Sequence, residues 1–453
     1  MTQTKIIALD DDPTGSQTVH GCLLLTRWDV DTLCEALQDD SPLFFVLTNT
    51  RGMDATSAAT LTREVCTNLK QALATLAAAN IEINPILVSR SDSTLRGHYP
   101  VETDVIAEEL GPFDAHFLVP AFFEGGRFTR QGIHYLIANG EEVPVHETEF
   151  ANDSVFGFSH SFLPDYVEEK TAGRISAHQV ESFFLDDVRG DCSARLMALS
   201  NNVCCTVDSE TQADLNHFAT QLTQAAQNGK RFLFRSAASL LTALAALPPQ
   251  PVAAEEMAAC VRGHKPGAII VGSHVAKTTQ QLAVLLREPN VTGIEVDVGA
   301  IDQGRAALLE RLLQQIAEAH GAGLTPVIYS SRQELLFDDQ ATRLAFGERV
   351  SAFLMALVRG LPPTIGFLIS KGGITSNDVL SSALSLRTSR VLGQLLPGCS
   401  VVRCPTTHPR YPALPVVIFP GNVGDENALA TAVRRLTTAP DTVTLGNRSA
   451  ALV

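Results

Sequence analysis

Three aspartates in a row, Asp10, Asp11 and Asp12, leave the apolar run Ile6–Leu9 and lead into Pro13, Thr14 and Gly15. Adjacent carboxylates repel, and a turn closed by local Asx hydrogen bonds needs only one of them. Three suit a site where one accepts a hydroxyl proton, as the base does in phosphoryl transfer, and another holds charge or a metal-bound water. Asp10 adjoins the strand and reads as structural; Asp11 and Asp12 are both candidates for the base. A second chemical stretch is SRSDSTLRGHYP, residues 89–100, in which Arg90, Asp92 and Arg96 lie among Ser89, Ser91, Ser93 and Thr94. Capping the helix that follows would take one such residue. Arginine grips a carboxylate through two parallel hydrogen bonds, while Asp and Ser side chains pair with hydroxyls. With Arg51 at the end of another strand, the set Arg90, Ser91, Asp92 and Ser93 predicts a small polyhydroxylated acid as ligand.

The second half of the chain offers different chemistry. In SKGGIT, residues 370–375, Gly372 and Gly373 let the backbone approach a phosphate, Ile374 follows, and Thr375 can cap a helix or bond a phosphate oxygen. PGNVGDE, residues 420–426, repeats the arrangement with Gly421, Asn422 and Gly424. GSHVAKTT, residues 272–279, is not a P-loop, because Lys277 stands where the second glycine must be. No strand is followed by G-x-G-x-x-G, which counts against a dinucleotide fold. His20, His98, His134 and His146 have no metal-ligand spacing and read as structural, so no protein metal ligands are expected. HETEFANDSVFGF, residues 146–158, suits either a loop over the first-half crevice or a plain surface loop.

Short β-rich runs alternating with Ala/Leu-rich helical stretches must position these groups, and that alternation predicts an α/β fold. The strands are near-continuous apolar runs, as in parallel sheets covered on both faces. The run LAALPPQPVAAEEMAACVRGHKPG, with Pro248, Pro249 and Pro251, marks a boundary. The reading is two α/β domains in series, each a mainly parallel sheet flanked by helices: 1–247, a linker 248–266, and 267–453. Ligands of such sheets bind beyond the C-terminal strand ends, and the active site is expected in the interdomain cleft. The 453 residues carry a net charge of −15, which argues against nucleic acid or an anionic membrane as partner. Nine cysteines without a C-x-x-C, no export signal and no apolar run of about 18 residues predict a soluble cytoplasmic protein with reduced thiols.

These motifs, in this order, resemble the four-carbon acid sugar kinase family. DDPTGS, TNTR and SRSDSTLRG carry the likeness in the first half, and VGSHVAKTTQQ, SKGGIT and PGNVG in the second. FANDSVFGF and VEEKTAGRI look like one branch of the family. The resemblance implies an N-terminal sugar-acid domain and a C-terminal ATP domain. It further implies ATP- and Mg²⁺-dependent phosphorylation of a threonate, erythronate or 3-oxo-tetronate, at the terminal hydroxyl. By position, Arg51 and Arg90 through Ser93 would contact the acid. Ser273, Gly372, Gly373, Ile374, Thr375 and Gly421 would contact ATP, and Asp12 or Asp11 would be the base. Val275 stands where the family's turn has a second Ser, and His98 where an Asn is common. A homodimer is among the expectations. The rival readings are a non-catalytic sensor of sugar acid and nucleotide, and an NAD-dependent hydroxy-acid oxidoreductase.

Overall fold

Residues Ile6–Asp10 are buried on both faces of β1 (Gln3–Asp10), as an unbroken apolar run in a parallel sheet requires. The computed structural model of the chain describes residues 3–138, 140–273, 275–332, 340–421 and 423–438. It divides into two compact units, Met1–Pro249 with Ser385–Val391, and Gln250–Leu384 with Leu392–Val453. Both are α/β with mainly parallel sheets flanked by helices.

In unit 1 the chain runs through β2 (Leu23–Leu25), β3 (Leu43–Leu47), β4 (Ile83–Arg90) and β5 (Ala115–Val119). A three-stranded antiparallel sheet follows, β6 (Arg127–Arg130), β7 (Ile133–Ala138) and β8 (Glu141–Pro144). The chain then adds β9 (Glu181–Phe183), β10 (Val203–Val207) and β11 (Phe232–Ser236) to the main sheet. The spatial order is β2-β3-β1-β4-β11-β5-β10-β9, with every pair parallel. The helix Ala55–Ala78 starts at Asp54, whose carboxylate takes the amides of Thr56 and Ser57, and Gln212–Gln227 starts in a Thr211/Asp214 capping box. One side of the sheet packs aliphatic side chains such as Ile7, Val46, Leu69 and Ile106; elsewhere Phe117 meets Phe183, Phe218, Phe232 and Phe234.

Unit 2 contains β12 (Ala268–Val271), β13 (Val291–Val296), β14 (Thr325–Ser330) and β15 (Leu368–Lys371). After β16 (Thr388–Leu396), which begins among the unit 1 residues, come β17 (Cys399–Arg403) and β18 (Pro415–Phe419). The order β13-β14-β12-β15-β18 is parallel throughout, and β17 joins β18 antiparallel. Among the described residues no helix is long and apolar enough to cross a membrane.

Three features depart from the sequence reading. The hairpin β6–β7 turns at Gln131 and Gly132, both at positive φ (51° and 75°), the pairing that a two-residue turn needs; β6, RFTR, is too short and polar to stand out. β2 is only three residues long, and β16 alternates buried and half-buried positions through Arg390, Gly393 and Gln394. Thr388–Arg390 pair antiparallel with Leu25–Leu23 inside unit 1. The stretch 254–264, expected as linker, forms short 3-10 turns in unit 2 and buries Met257 and Ala258.

Register decides where the loops emerge. Leu47, Asp10, Arg90, Ser236 and Val119 are partners in one row across β3, β1, β4, β11 and β5. In unit 2, Tyr329, Val271, Lys371 and Phe419 form the same kind of row across β14, β12, β15 and β18. Loops far apart in sequence therefore leave each sheet level with one another, at the C-terminal strand ends where α/β sheets bind ligands.

Candidate active site

In unit 1 the row brings together most of the predicted residues, organised by Arg51. The turn Thr50–Gly52 follows Asn49, which takes a left-handed conformation (φ 54°), and the Arg51 amide bonds the Asp11 carbonyl at 3.2 Å. The guanidinium then meets Asp11 through both oxygens (Nη2–Oδ1 2.5 Å, Nε–Oδ2 3.3 Å). It also lies 3.5 Å from Asp12 Oδ2 and 4.0 Å from Asp92 Oδ1. This ring of carboxylates holds Arg51 well above the ordinary arginine pKa despite its burial.

The aspartates are not equivalent. Asp11 is 1% exposed, and burial raises its pKa more than Arg51 lowers it. Asp12 keeps 23% of its side-chain surface; Thr14 donates its amide (2.9 Å) and its hydroxyl (2.5 Å) to Oδ1. Burial pushes its pKa up, but Arg51 and Thr14 outweigh that and leave it below the ordinary value. Asp10 is fully buried; among the described residues its oxygens lack hydrogen-bond partners, and Arg90 lies 3.6 Å away; burial pushes its pKa up to about 8. Asp92 is held ionised by Arg51, Arg96 (Nε 2.8 Å) and Thr94, which outweigh burial.

Ser91 and Ser93 lie in the same loop, but Ser91 turns its hydroxyl to the Arg96 carbonyl (3.2 Å) and the Ser93 carbonyl accepts from His134 Nε2 (2.8 Å). Arg90 is 4% exposed and its Nε has no partner among the described residues. Gly97 sits at φ 124°, and a Cβ there would lie 2.6 Å from Arg235, so glycine is required on both counts. The 146–158 stretch packs on this loop: Phe150 lies under Arg96 (4.8 Å), Phe156 against His98 (4.9 Å), and Phe158 with Leu95 and Tyr166. His98 bridges to the Thr50 and Met53 carbonyls (3.1 and 3.0 Å), tying this loop to the Arg51 turn.

Several site residues have no motif around them. Arg235, buried in β11, donates to Ser89 (2.7 Å) and to Glu102, which also accepts from Thr50 (2.5 Å). Arg235 and Ser236 line a cavity with Ser91, Asp92 and Tyr166. Arg127, on β6, has a buried Nε without a partner among the described residues. Their only sequence signal is an arginine inside an otherwise apolar or small-residue run, which a buried charge must justify with partners.

In unit 2, Ser273 is the hub. Its hydroxyl accepts from Thr278 (3.2 Å), its carbonyl accepts from Arg332 (2.7 Å), and Cβ atoms built on Gly372 or Gly421 would each come within 3.2 Å of its side chain. Gly372 takes φ 118°, a conformation that favours glycine, and its amide bonds the Phe419 carbonyl at 2.8 Å. Gly373 opens the helix Gly373–Asp378, Thr375 is buried against Gly272, and Ile374 is 72% exposed. Gly421 offers its carbonyl to Lys371 and Thr278, both at 3.1 Å. Lys371, which sequence reading passed over, is fully buried over Phe419 and also donates to the Pro420 carbonyl; burial lowers its pKa to about 7. Asn422 and His274 lie outside the described residues. Among the described residues no three His, Cys, Asp or Glu side chains converge as a protein-built metal site would need.

Level strand ends, an Arg/Asp cluster on one sheet and glycine turns on the other characterise a two-domain α/β protein. Residues 6–244 match a sugar-binding N-terminal domain and residues 268–429 a nucleotide-binding C-terminal domain. The chain belongs to the four-carbon acid sugar kinase family. It is 25% identical to the D-erythronate kinase of Heliobacterium modesticaldum, over 96% of this chain and 98% of that one. Two crystal structures share the fold. One, a Salmonella typhimurium LT2 protein provisionally described as a tRNA synthase, gives a TM-score of 0.70 at 19% identity, covering 97% of this chain and all of that one. The other, Haemophilus influenzae protein HI1011, gives 0.63 at 17%, covering 95% and 100%.

Proposed function

We propose that the protein transfers the γ-phosphoryl group of ATP to the terminal 4-hydroxyl of a four-carbon sugar acid of the threonate, erythronate or 3-oxo-tetronate type. The observation that carries this reading is Asp12, the one partly open carboxylate of the Asp10–Asp12 run, kept ionised by Arg51 and Thr14. The name of the Heliobacterium relative supports the four-carbon class.

In this reading the acid's carboxylate takes the buried guanidinium donors that have no partner among the described residues, Nε of Arg90 and of Arg127. Arg51 fixes the aspartates around it, and Asp92 and Ser93 pair with substrate hydroxyls. Asp12 orients the terminal hydroxyl and accepts its proton; the hydroxyl oxygen bonds the γ-phosphorus as the bond to the β-phosphate oxygen breaks and ADP leaves. Asp11, clamped on both oxygens by Arg51, is the less available base. The triphosphate lies on Ser273, Gly372 through Thr375 and Gly421. Mg²⁺ bound with that triphosphate would supply charge neutralisation; among the described residues no three carboxylates converge as a metal site needs, so it would be held through phosphate oxygens and water.

Asp12→Asn and Asp11→Asn test the assignment. D12N should lower kcat by about 10²- to 10⁴-fold with ATP affinity retained. Normal kcat in both variants overturns the base assignment. An ADP-release screen over four-carbon sugar acids, with ribonate and glycerate as length controls, tests the reaction itself. Binding of acid and ATP without ADP release from the wild type overturns it in favour of a sensor.

A further inference from the structure

Arg332 follows β14 in the second level row, beside the turns that carry Ser273, Gly372 and Gly421. Its guanidinium lies over the Tyr329 ring, 5.8 Å from the centroid, and Nη1 donates to the Ser273 carbonyl at 2.7 Å. Nε and Nη2 are both buried without a hydrogen-bond partner among the described residues. Those two nitrogens form the edge of a guanidinium that grips two oxygens of one anion side by side. A buried donor left unmade costs about 1–3 kcal/mol, more when charged, so two on one side chain mark the position of a missing acceptor. Burial lowers the Arg332 pKa, with Tyr329 and Glu295 partly opposing. Lys371, the buried cation here, already faces the Pro420 and Gly421 carbonyls. The Ser273 carbonyl that orients Arg332 belongs to the residue against which Gly372 and Gly421 pack, so the open edge adjoins the proposed phosphate turns.

We propose that Arg332 is a polyphosphate-binding residue of unit 2, its Nε/Nη2 edge taking two oxygens of the ATP β- or γ-phosphate. This rests on the nucleotide reading of unit 2 and adds a residue to which no motif points.

The test is equilibrium binding of ATP, inorganic tripolyphosphate and adenosine to the full-length wild type, Arg332→Met and Arg332→Lys, with thermal melting as a check on folding. R332M should weaken ATP and tripolyphosphate by about 10- to 100-fold, with adenosine unchanged. R332K should restore only part of the loss, because an ammonium cannot span two oxygens. ATP binding by R332M at wild-type strength overturns the proposal, and so does equal loss of ATP and adenosine, which would mean a purely structural residue. If R332M does not fold, R332K decides: an unchanged melt with ATP about 3- to 10-fold weaker supports it, and unchanged ATP binding overturns it. A wild type that binds none of the three overturns the nucleotide reading itself, a failure distinct from that of Arg332.

Discussion

In unit 1 the loops at the strand ends carry Asp11, Asp12, Asp92, Arg51, Arg96 and Arg235, nearly every charge answered by an opposite one. In unit 2 the corresponding loops carry Gly272, Ser273, Gly372, Thr375 and Gly421, held by hydroxyl and carbonyl contacts, with Lys371 buried and Arg332 half-buried beside them. Both sheets bring their strand ends level by the same parallel register. On the proposed function, one scaffold serves two recognition strategies. A small acid with several hydroxyls must be told from its isomers, which calls for fixed, directional side chains. A triphosphate is recognised by shape and charge, which backbone turns supply without long side chains.

The contrast can be broken by substitution. The largest effect is expected at Arg51, since removing one member of a buried ion cluster leaves the others uncompensated. Arg51→Met should cost about 3–5 kcal/mol in urea unfolding. A loss below about 1 kcal/mol would show that the aspartates do not depend on it. A smaller, pH-dependent effect is expected at Asp10. Its carboxyl is raised from 3.8 to about 8, so the folded chain keeps a proton that the unfolded chain releases. Stability from this group is full below about pH 4 and is lost as pH rises through about 8. Asp10→Asn should flatten that slope, gaining on the wild type at about pH 9 relative to about pH 5 in thermal melts. Parallel curves for the two proteins would remove Asp10 from the account. The smallest effect is expected in unit 2: Thr278→Val breaks the contacts with Ser273 and Gly421 and should cost about 1 kcal/mol. A loss as large as that of R51M would erase the difference between the two regions.

What the sequence made legible follows the same divide. DDDPTG and SRSDSTLRG announce themselves because their polar residues are adjacent, and the fold gathers them without moving any out of the row. Glu102, Arg127, Arg235 and Arg332 stand outside those motifs, and Lys371, inside SKGGIT, was given no role; only pairing across strands or the end of a neighbouring loop gives them partners. Spacing along one chain segment cannot show that Glu102 will meet Arg235, because the two are joined through β4 and β11 rather than through sequence. Ser91 shows the opposite limit. Its motif marks it as a ligand residue, yet its hydroxyl faces the Arg96 carbonyl of its own loop.

The pairing of Thr388–Arg390 with Leu23–Leu25 bears on any attempt to isolate the sugar-binding half. A fragment stopped at Pro249 would lack that cover and leave β2 with a bare outer margin of amides and carbonyls. It would also lose the Arg390–Asp39 ion pair at 2.7 Å and the Thr26 amide's bond to Arg387. Such a margin templates the addition of further chains, so the fragment is expected to aggregate. Supplying residues 385–391, grafted through a short connection or added as a peptide, should keep it monodisperse.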